Sequence, residues 1–173
     1  MRVIGIAGWS GAGKTTLITK VLPVLIARGL KVATVKHAHH GFDTDRPGKD
    51  SWAHREAGAC EVAVVSPLRW AILHELHGER EPTLGDIVAR LSPADLVLVE
   101  GYKRDLLPKL EVHRALLGKP LMQPQDNCIV AIASDTPMRS ADVPVLDLGD
   151  VEAIADLIEA KAVPCDRIAV APQ

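Results

Sequence analysis

Apolar residues follow two patterns along the chain: short continuous runs, and longer segments in which they recur at helical spacing. Runs of Val, Ile, Leu and Ala are typical of buried strands, whereas the recurring pattern is typical of helices that cover a sheet. The predicted strands are Arg2–Ala7, Val32–Val35, Glu61–Ser66, Trp70–Leu73, Leu96–Glu100, Leu110–His113 and Ile129–Ala133. The predicted helices are Lys14–Ala27, Ser51–Ala57, Thr83–Leu91 and Val151–Ala162.

The alternation of strands and helices predicts an α/β fold with a mostly parallel sheet flanked by helices in a three-layer sandwich. A chain of 173 residues, 47% of them hydrophobic, can build one core. We therefore expect a single domain over residues 1–173, with an irregular C-terminal tail at residues 163–173. The sequence contains no internal repeat, low-complexity segment or interdomain linker.

Composition and charge exclude several classes of protein. The net charge is −2 and the basic residues are interleaved with acidic ones, so we expect no nucleic-acid partner. The three cysteines, Cys60, Cys128 and Cys165, predict neither a disulfide framework nor a zinc-binding CxxC pair. The apolar run at the N-terminus is too short for a signal peptide, and no later run is long enough to span a membrane. We expect a protein of the reducing cytoplasm that has no membrane partner.

The first predicted strand leads directly into GWSGAGKT, residues 8–15, which matches the pattern G-x-x-x-x-G-K-[ST] between a strand and a helix. Such a loop directs backbone N–H groups and a helix N-terminus at an anion. Lys14 is expected to reach the β- and γ-phosphates of a nucleoside triphosphate, and the Thr15 hydroxyl to bind Mg²⁺. The predicted phosphate-binding residues are Gly8, Trp9, Ser10, Gly11, Ala12, Gly13, Lys14, Thr15 and Thr16. The alternative is a purely structural turn rich in glycine. Trp9 has two open roles of its own, packing beside the loop or covering a ligand.

A carboxylate ends the apolar strand Leu96–Glu100 and is followed by a glycine. Ligands bind at the carboxyl ends of strands in open α/β sheets, so Glu100 is expected to face the phosphate loop. There it would hold Mg²⁺ or polarise an attacking water, which makes Lys14 and Glu100 the predicted catalytic residues. The alternative is a solvated glutamate at a strand end.

The segment KHAHHGFDTDRPGKDS, residues 36–51, follows the second predicted strand and is rich in histidine and aspartate. We call residues 37–51 the histidine loop. Three interpretations remain open: a zinc or nickel site, a set of donors to phosphate and to a polar heterocycle, and a solvated loop. The candidate ligands are His37, His39, His40, Asp43, Asp45 and Lys49.

Four segments taken in order, GWSGAGKTTL, VKHAHHGFDTDRPGKDS, REAGA and LVLVEGYK, resemble the molybdopterin-guanine dinucleotide biosynthesis protein B family (MobB). The resemblance extends to about Asp135. It implies the fold of P-loop nucleoside triphosphatases, GTP and Mg²⁺ at residues 8–15, Glu100 at the Walker-B position, and a ligand role for the histidine loop. It also implies weak GTP hydrolysis, a homodimer, molybdopterin as a ligand, and cooperation with the molybdenum cofactor guanylyltransferase. It favours an anion and pterin-phosphate cradle over a metal chelate at the histidine loop.

Guanine is normally selected by a carboxylate that accepts from N1–H and the exocyclic amine. Asp135 follows the predicted strand Ile129–Ala133 and stands where such a carboxylate could lie. The tetrapeptide NKxD of many GTPases is absent, and Asp135 could equally begin a turn. The preference for GTP therefore depends on the resemblance.

Three other functions compete with a GTP-binding adapter. A nickel-delivery GTPase would load metal on the histidine loop, and a small-molecule kinase would use Glu100 or Asp43 as a base. A binding module would bind nucleotide without meaningful chemistry. Any hydrolysis is expected to be slow, because no arginine finger or water-positioning glutamine is identified in the sequence.

Overall fold

The computed structural model describes residues 1–38, 41–138 and 141–168. The chain divides into two compact units, one formed by Met1–His37 with Thr83–Gln173 and the other by Ala38–Pro82. The prediction of a single domain over the whole chain stays a prediction. His39 and His40 lie outside the described residues, so their expected ligand role also stays a prediction.

The larger unit contains a mostly parallel sheet with helices on both faces, which confirms the predicted fold class. Its strands are β1 (Arg2–Ala7), β2 (Val32–Lys36), β5 (Leu96–Glu100), β6 (Lys109–His113), β7 (Ile129–Ser134), β8 (Val145–Asp147) and β9 (Val163–Pro164). Its α-helices are α1 (Lys14–Ala27), α3 (Leu84–Arg90) and α4 (Val151–Lys161). Within the described part of the chain, no helix combines the length and apolar character needed to cross a membrane.

Strand order sets which residues meet at the carboxyl edge of the sheet. The order is β2-β5-β1-β6-β7-β8, so β5 lies between β1 and β2 although it comes after both in sequence and residues 37–95 separate it from β2. Parallel register pairs Ile6 of β1 and Lys36 of β2 with Glu100 of β5. The ends of these strands therefore lie side by side, as expected for a ligand-binding edge of an α/β sheet.

Alternate residues of the central strands point to opposite faces and build two hydrophobic clusters. On one face, Ile4 and Leu98 pack in a cluster with Leu17, Val21 and Ile158, from α1 and α4. On the other face, a second cluster is formed by Val3, Val97, Val99, Leu84, Val88, Val35 and Leu107. This arrangement is the three-layer sandwich that the sequence predicts.

Two short strands of the structure are absent from the predicted set. Val145–Asp147 form β8, which pairs with β7, and Val163–Pro164 form β9, which pairs antiparallel with Arg2 and Val3 of β1. β9 lies in the segment for which an irregular tail is predicted, and Cys165–Arg167 continue it as a 3-10 helix. Strands of two and three residues leave no periodicity in the sequence, because they form only when a longer strand offers an edge.

The smaller unit consists of α2 (Asp50–Glu56) and a hairpin of β3 (Glu61–Val65) and β4 (Trp70–His74). The hairpin agrees with the strands predicted on either side of Pro67. Ser66 stabilises its turn, because its hydroxyl oxygen accepts from the N–H groups of Leu68 and Arg69 at 3.3 and 3.1 Å.

A buried carboxylate holds the segment that follows β6. Glu111 is fully buried, and its two carboxylate oxygens accept from the N–H groups of Met122 and Gln123 at 2.8 and 2.9 Å. The side chain reaches a segment eleven and twelve residues further along the chain. Burial of this polar group is tolerable because both oxygens are hydrogen-bonded.

We expect Glu111→Gln to lower the free energy of unfolding by about 1–3 kcal/mol, the cost of leaving a buried polar group without its partner. The reason is that one carboxylate oxygen becomes an amide NH₂, which then faces a backbone N–H donor. Urea unfolding followed by circular dichroism measures the change. Glu56→Gln, on an exposed residue of α2, is the control and should change the free energy by less than about 0.5 kcal/mol. Equal urea midpoints for Glu111→Gln and the unmodified protein would contradict the anchoring role.

Candidate functional site

The loop between β1 and α1 is shaped by glycines at positions where a side chain would collide with neighbouring atoms. Gly8 has a φ of +137°, and a Cβ there would lie 2.5 Å from the carbonyl oxygen of Val112 on β6. Gly13 caps the N-terminus of α1 with a φ of +93°, in the left-handed region. The chain therefore passes close to β6 and turns directly into the helix, which is the geometry of a phosphate-binding loop.

Lys14, the first residue of α1, folds back over the loop. Its Nζ donates to the carbonyl oxygens of Gly8 and Trp9 at 3.0 and 3.1 Å. Burial lowers the pKa of Lys14, Glu100 raises it, and the positive charges of Lys103 and Lys36 lower it further. The mutual influence of these three ammonium groups indicates a local concentration of positive charge, which favours a polyanion such as a triphosphate.

Thr15 and Glu100 meet beside the loop although they lie 85 residues apart in sequence. The Thr15 hydroxyl donates to the Glu100 carboxylate, with Oγ1 2.9 Å from Oε2 and 3.0 Å from Oε1. The side chain of Glu100 is 13% exposed, and Lys36 Nζ lies 3.8 Å from its Oε1. A hydroxyl and a carboxylate are hard oxygen ligands of the kind that Mg²⁺ takes together with phosphate oxygens. The predicted metal role of both residues agrees with this geometry and stays a prediction.

The end of β2 packs tightly against the turn after β5. A Cβ on Gly101, which has a φ of +101°, would lie 2.6 Å from Cβ of His37. The N–H of His37 donates to the carbonyl of Glu100 at 2.8 Å, and its ring centroid lies 4.7 Å from that of Tyr102. His37 therefore stands next to Glu100 at the carboxyl edge of the sheet, where its place directly after the second predicted strand suggests it should lie.

Trp9 projects from the phosphate loop toward the segment after β6. Its indole Nε1 donates to the carbonyl of Pro120 at 2.8 Å. The ammonium groups of Lys103 and Lys119 lie 5.9 and 5.8 Å from the ring centroid, within the range of cation–π attraction. The Trp9 ring is half-buried and lines a cavity on this side of the loop, and its predicted ligand role stays a prediction.

A cavity of about 260 Å³ opens beside the N-terminal turn of α1. Its lining includes Gly13, Lys20, Arg114, Asp135, Asp147 and Leu148. Asp135, predicted to select guanine, accepts through Oδ1 from the N–H of Ala115 at 3.0 Å. Asp147 accepts through Oδ1 from the N–H of Gly149 at 2.7 Å. Carboxylates therefore face this space from the ends of β7 and β8.

Arg114 and Asp147 line this cavity but were not among the residues predicted for the site. Arg114 Nε donates to the carbonyl of Ala12 at 3.1 Å, so this side chain reaches the phosphate loop. Its position directly after the predicted strand Leu110–His113 is a signal that could have identified it, because strand ends converge at the ligand edge. No such signal existed for Asp147, since β8 itself was not predicted.

The aspartates of the histidine loop pair with an arginine inside the smaller unit. Arg55 Nη1 lies 2.9 Å from Asp43 Oδ1 and 3.5 Å from Asp45 Oδ2, and Nε lies 2.7 Å from Glu75. The N–H of Asp45 and the Arg55 guanidinium hold the pKa of Asp43 below its usual value. These contacts give Asp43 and Asp45 a structural role in the described residues. Lys49 is exposed and precedes α2, and the ligand roles expected for all three residues stay predictions.

Among residues 1–38, 41–138 and 141–168, no group of three or more His, Cys, Asp or Glu side chains is arranged to hold a metal ion. His54 and His77 are exposed. His74 instead pairs with glutamates, because its Nδ1 lies 2.8 Å from Glu61 Oε1 and its Nε2 lies 3.4 Å from Glu79 Oε2. These hydrogen bonds raise the pKa of His74.

Comparison with known sequences shows that most of the chain matches a known protein family. Residues 3–135 match the family model described as molybdopterin guanine dinucleotide synthesis protein B. The molybdopterin-guanine dinucleotide biosynthesis adapter protein of Escherichia coli K12 is 42% identical over 159 residues, covering 90% of each chain. The adapter protein of the same name from Haemophilus influenzae is 41% identical over 160 residues, covering 91% of this chain and 87% of its own.

Solved structures agree in fold. A crystal structure of molybdopterin-guanine biosynthesis protein B superposes with a TM-score of 0.73 at 31% identity, over 91% of this chain and 98% of its own. A MobB homologue from Bacillus stearothermophilus gives a TM-score of 0.64 at 26% identity, over 91% of this chain and 95% of its own.

Proposed function

The chain belongs to the molybdopterin guanine dinucleotide synthesis protein B family, and on that premise we propose that it is a GTP-binding adapter in molybdopterin-guanine dinucleotide biosynthesis. The observation that carries the proposal is the meeting of Lys14, Thr15 and Glu100 at one edge of a parallel sheet. A loop, a cation, a hydroxyl and a carboxylate in this arrangement suit a nucleoside triphosphate with Mg²⁺.

Each group at the phosphate-binding loop has a distinct role in the proposed function. Backbone N–H groups of residues 8–16 surround the phosphates, and Lys14 exchanges its bonds to the loop carbonyls for bonds to β- and γ-phosphate oxygens. Thr15 and Glu100 bind Mg²⁺ directly or through water. When bound, Mg²⁺ neutralises charge on the phosphates.

We assign weak GTP hydrolysis to this site. Glu100 already accepts from Thr15 and lies 3.8 Å from Lys36 Nζ, so its carboxylate is engaged in positioning. Because both carboxylate oxygens already accept from the Thr15 hydroxyl, Glu100 is not free to take the proton of an attacking water. Slow turnover suits an adapter whose nucleotide-bound state has to persist while a partner acts.

The partners that we propose for this chain are suggested by the names of its relatives. The Escherichia coli and Haemophilus influenzae proteins are named as adapters of molybdopterin-guanine dinucleotide biosynthesis. We propose that this chain likewise binds molybdopterin and assists the guanylyltransferase of the pathway, as a homodimer. The histidine loop, with His37, His39, His40, Asp43, Asp45 and Lys49, is proposed to contact phosphate or pterin.

Calorimetric titration of the full chain with a non-hydrolysable GTP analogue tests the proposal. With Mg²⁺ present we expect one site per chain, weaker binding in EDTA, and at least tenfold weaker binding of the matching ATP analogue. Addition of the protein to a guanylyltransferase reaction should raise the yield of molybdopterin-guanine dinucleotide. Equal affinity for the two analogues would contradict guanine selection, and an unchanged yield would contradict the adapter role.

Selection of guanine is assigned to Asp135, and this assignment gives a separate prediction. We expect Asp135→Asn to weaken binding of the GTP analogue about 10- to 100-fold, the cost of losing a hydrogen bond to a charged group. Affinity for the ATP analogue should stay within twofold.

The matched control for Asp135→Asn is Asp147→Asn, on the neighbouring strand end of the same cavity. In both variants Oδ1 can still accept its backbone N–H, from Ala115 and from Gly149 respectively, so local folding is preserved. A larger loss of GTP affinity in Asp147→Asn than in Asp135→Asn would transfer the selecting role to Asp147.

A further inference from the structure

Another cavity, of about 420 Å³, lies beside Trp9 and within the larger unit. We call it the tryptophan pocket, and the residues that matter here are Trp9, Lys103, Arg104, Leu106, Leu121 and Met122. Its volume falls in the range of small-molecule sites, about 300–1,000 Å³. None of these residues except Trp9 belongs to the phosphate loop or to the cavity that holds Asp135.

The pocket carries unbalanced positive charge. Within the part of the chain that the structure describes, no carboxylate lies within ion-pair distance of Lys103 or Arg104. Asp126 also lines the pocket, but its Oδ2 lies 2.9 Å from Lys109 Nζ and is neutralised there. Lys119 adds a further ammonium near the Trp9 ring. An anionic group would find two or more uncompensated cations at this site.

Apolar surface lies beside this charge. The half-buried indole of Trp9, the half-buried side chains of Leu121 and Met122, and the exposed Leu106 contribute it. An aromatic wall next to cations suits a ligand that joins a flat ring to a phosphate, because the ring can stack while the phosphate forms charge-assisted hydrogen bonds. Neither inorganic phosphate nor an uncharged ring would use both parts of the pocket.

Buried charged residues hold the walls in place. Lys109 is 2% exposed, and its Nζ donates to the carbonyl of Lys103 at 2.8 Å as well as to Asp126. The Glu111 carboxylate accepts from the N–H groups of Met122 and Gln123 and so holds this segment. Both walls of the pocket are thus attached to β6, which reduces the entropy cost of binding.

We infer that the tryptophan pocket is a second ligand site, which binds a phosphorylated planar heterocycle next to the nucleotide. Trp9 belongs to the phosphate loop, and Lys103 lies close enough to Lys14 to lower its pKa, so a ligand here lies beside the nucleotide phosphates. A phosphorylated pterin is the occupant that the proposed function supplies. That choice of ring rests on the proposed function, whereas the anion and ring chemistry rests on the pocket.

The inference is tested by titration of the full chain with neopterin monophosphate. The nucleotide site at the phosphate loop is first saturated with the GTP analogue and Mg²⁺. We expect one site per chain, with unphosphorylated neopterin and inorganic phosphate binding at least about tenfold more weakly. Arg104→Glu should weaken neopterin monophosphate at least about tenfold, since one charge-assisted hydrogen bond is lost and a like charge is added. Arg104→Lys should recover most of that loss.

Controls distinguish a loss of binding in the tryptophan pocket from a loss at the nucleotide site and from an effect of net charge. Arg90→Glu, on an exposed residue in the last turn of α3, changes the net charge equally and should leave binding unchanged. The affinity for the GTP analogue should stay within twofold in Arg104→Glu. Guanosine monophosphate, titrated in the same way, distinguishes the sources of the ligand, because tighter binding than the pterin would identify a second nucleotide as the occupant.

Two results would overturn the inference while leaving the proposed function intact. One is that the GTP-loaded protein does not bind neopterin monophosphate, and the other is equal binding by Arg104→Glu, Arg90→Glu and the unmodified protein. If the GTP analogue itself does not bind, the proposed function fails. Titration of the nucleotide-free protein with neopterin monophosphate then shows whether the tryptophan pocket binds this ligand.

Discussion

Replacing Lys14 with methionine is expected to weaken binding of the GTP analogue about 100-fold. The estimate takes two charge-assisted hydrogen bonds to phosphate at about 1.5 kcal/mol each, and 1.4 kcal/mol corresponds to a factor of ten. Methionine has nearly the same length and apolar stem, so the loss isolates the ammonium group. Lys14 is half-buried, and Lys103 and Lys36 lie close enough to influence its pKa.

Isothermal titration calorimetry in the presence of Mg²⁺ measures the effect of Lys14→Met. The matched control is Lys31→Met, an exposed lysine that precedes β2 at the opposite edge of the sheet, and its affinity should stay within twofold. Thermal unfolding without nucleotide shows whether the loop remains folded after the bonds to Gly8 and Trp9 are lost. Retention of full affinity by Lys14→Met would disprove the assignment of residues 8–16 as the phosphate site.

Replacing Glu100 with glutamine is expected to reduce the apparent affinity for Mg²⁺ about 10- to 100-fold, as is typical when a group that binds or orients a metal ligand is changed. Glutamine keeps the shape of the side chain and can still accept from Thr15, so the fold should survive. It removes the negative charge that pairs with Lys36 and that would compensate Mg²⁺ in the proposed site. The proposed GTP hydrolysis should fall by a similar factor, because in the proposed site it would require Mg²⁺.

The measurement for Glu100→Gln is nucleotide affinity as a function of free Mg²⁺ at fixed concentration of the GTP analogue. Asp95→Asn provides the control, because Asp95 precedes the same strand at its amino end, where Oδ2 accepts from the N–H of Lys31 at 2.8 Å. That variant should need the same Mg²⁺ concentration as the unmodified protein. An unchanged Mg²⁺ requirement in Glu100→Gln would show that Glu100 is structural.

Most of the fold followed from local pattern. The long apolar strands and amphipathic helices were predicted within one or two residues of their ends, as with β5 at Leu96–Glu100 and α1 at Lys14–Ala27. Such elements bury a complete face, so their periodicity is visible in the chain itself. The short strands β8 and β9 were not predicted, because their pairing depends on edges supplied by β7 and β1.

The candidate site likewise contains residues that the sequence predicts and contacts that it does not predict. Residues 8–16 were identified because strand, loop and helix are consecutive, so a short pattern contains all of the geometry. The Asp43 and Asp45 contacts were not predictable, because their partner Arg55 stands ten or more residues away on α2. The tryptophan pocket was also invisible in the sequence, because its cations and apolar residues come from separate segments.

By itself, the sequence determined that this protein has an α/β fold with a phosphate loop after its first strand, because those features are encoded in neighbouring residues. The tertiary structure alone decided which distant groups complete the site. Glu100 reaches Thr15 across 85 residues, Arg114 reaches Ala12 across 102, and Trp9 reaches Pro120 across 111. The physical reason is strand order: parallel strands need crossover connections, so neighbours in the sheet are far apart in the chain.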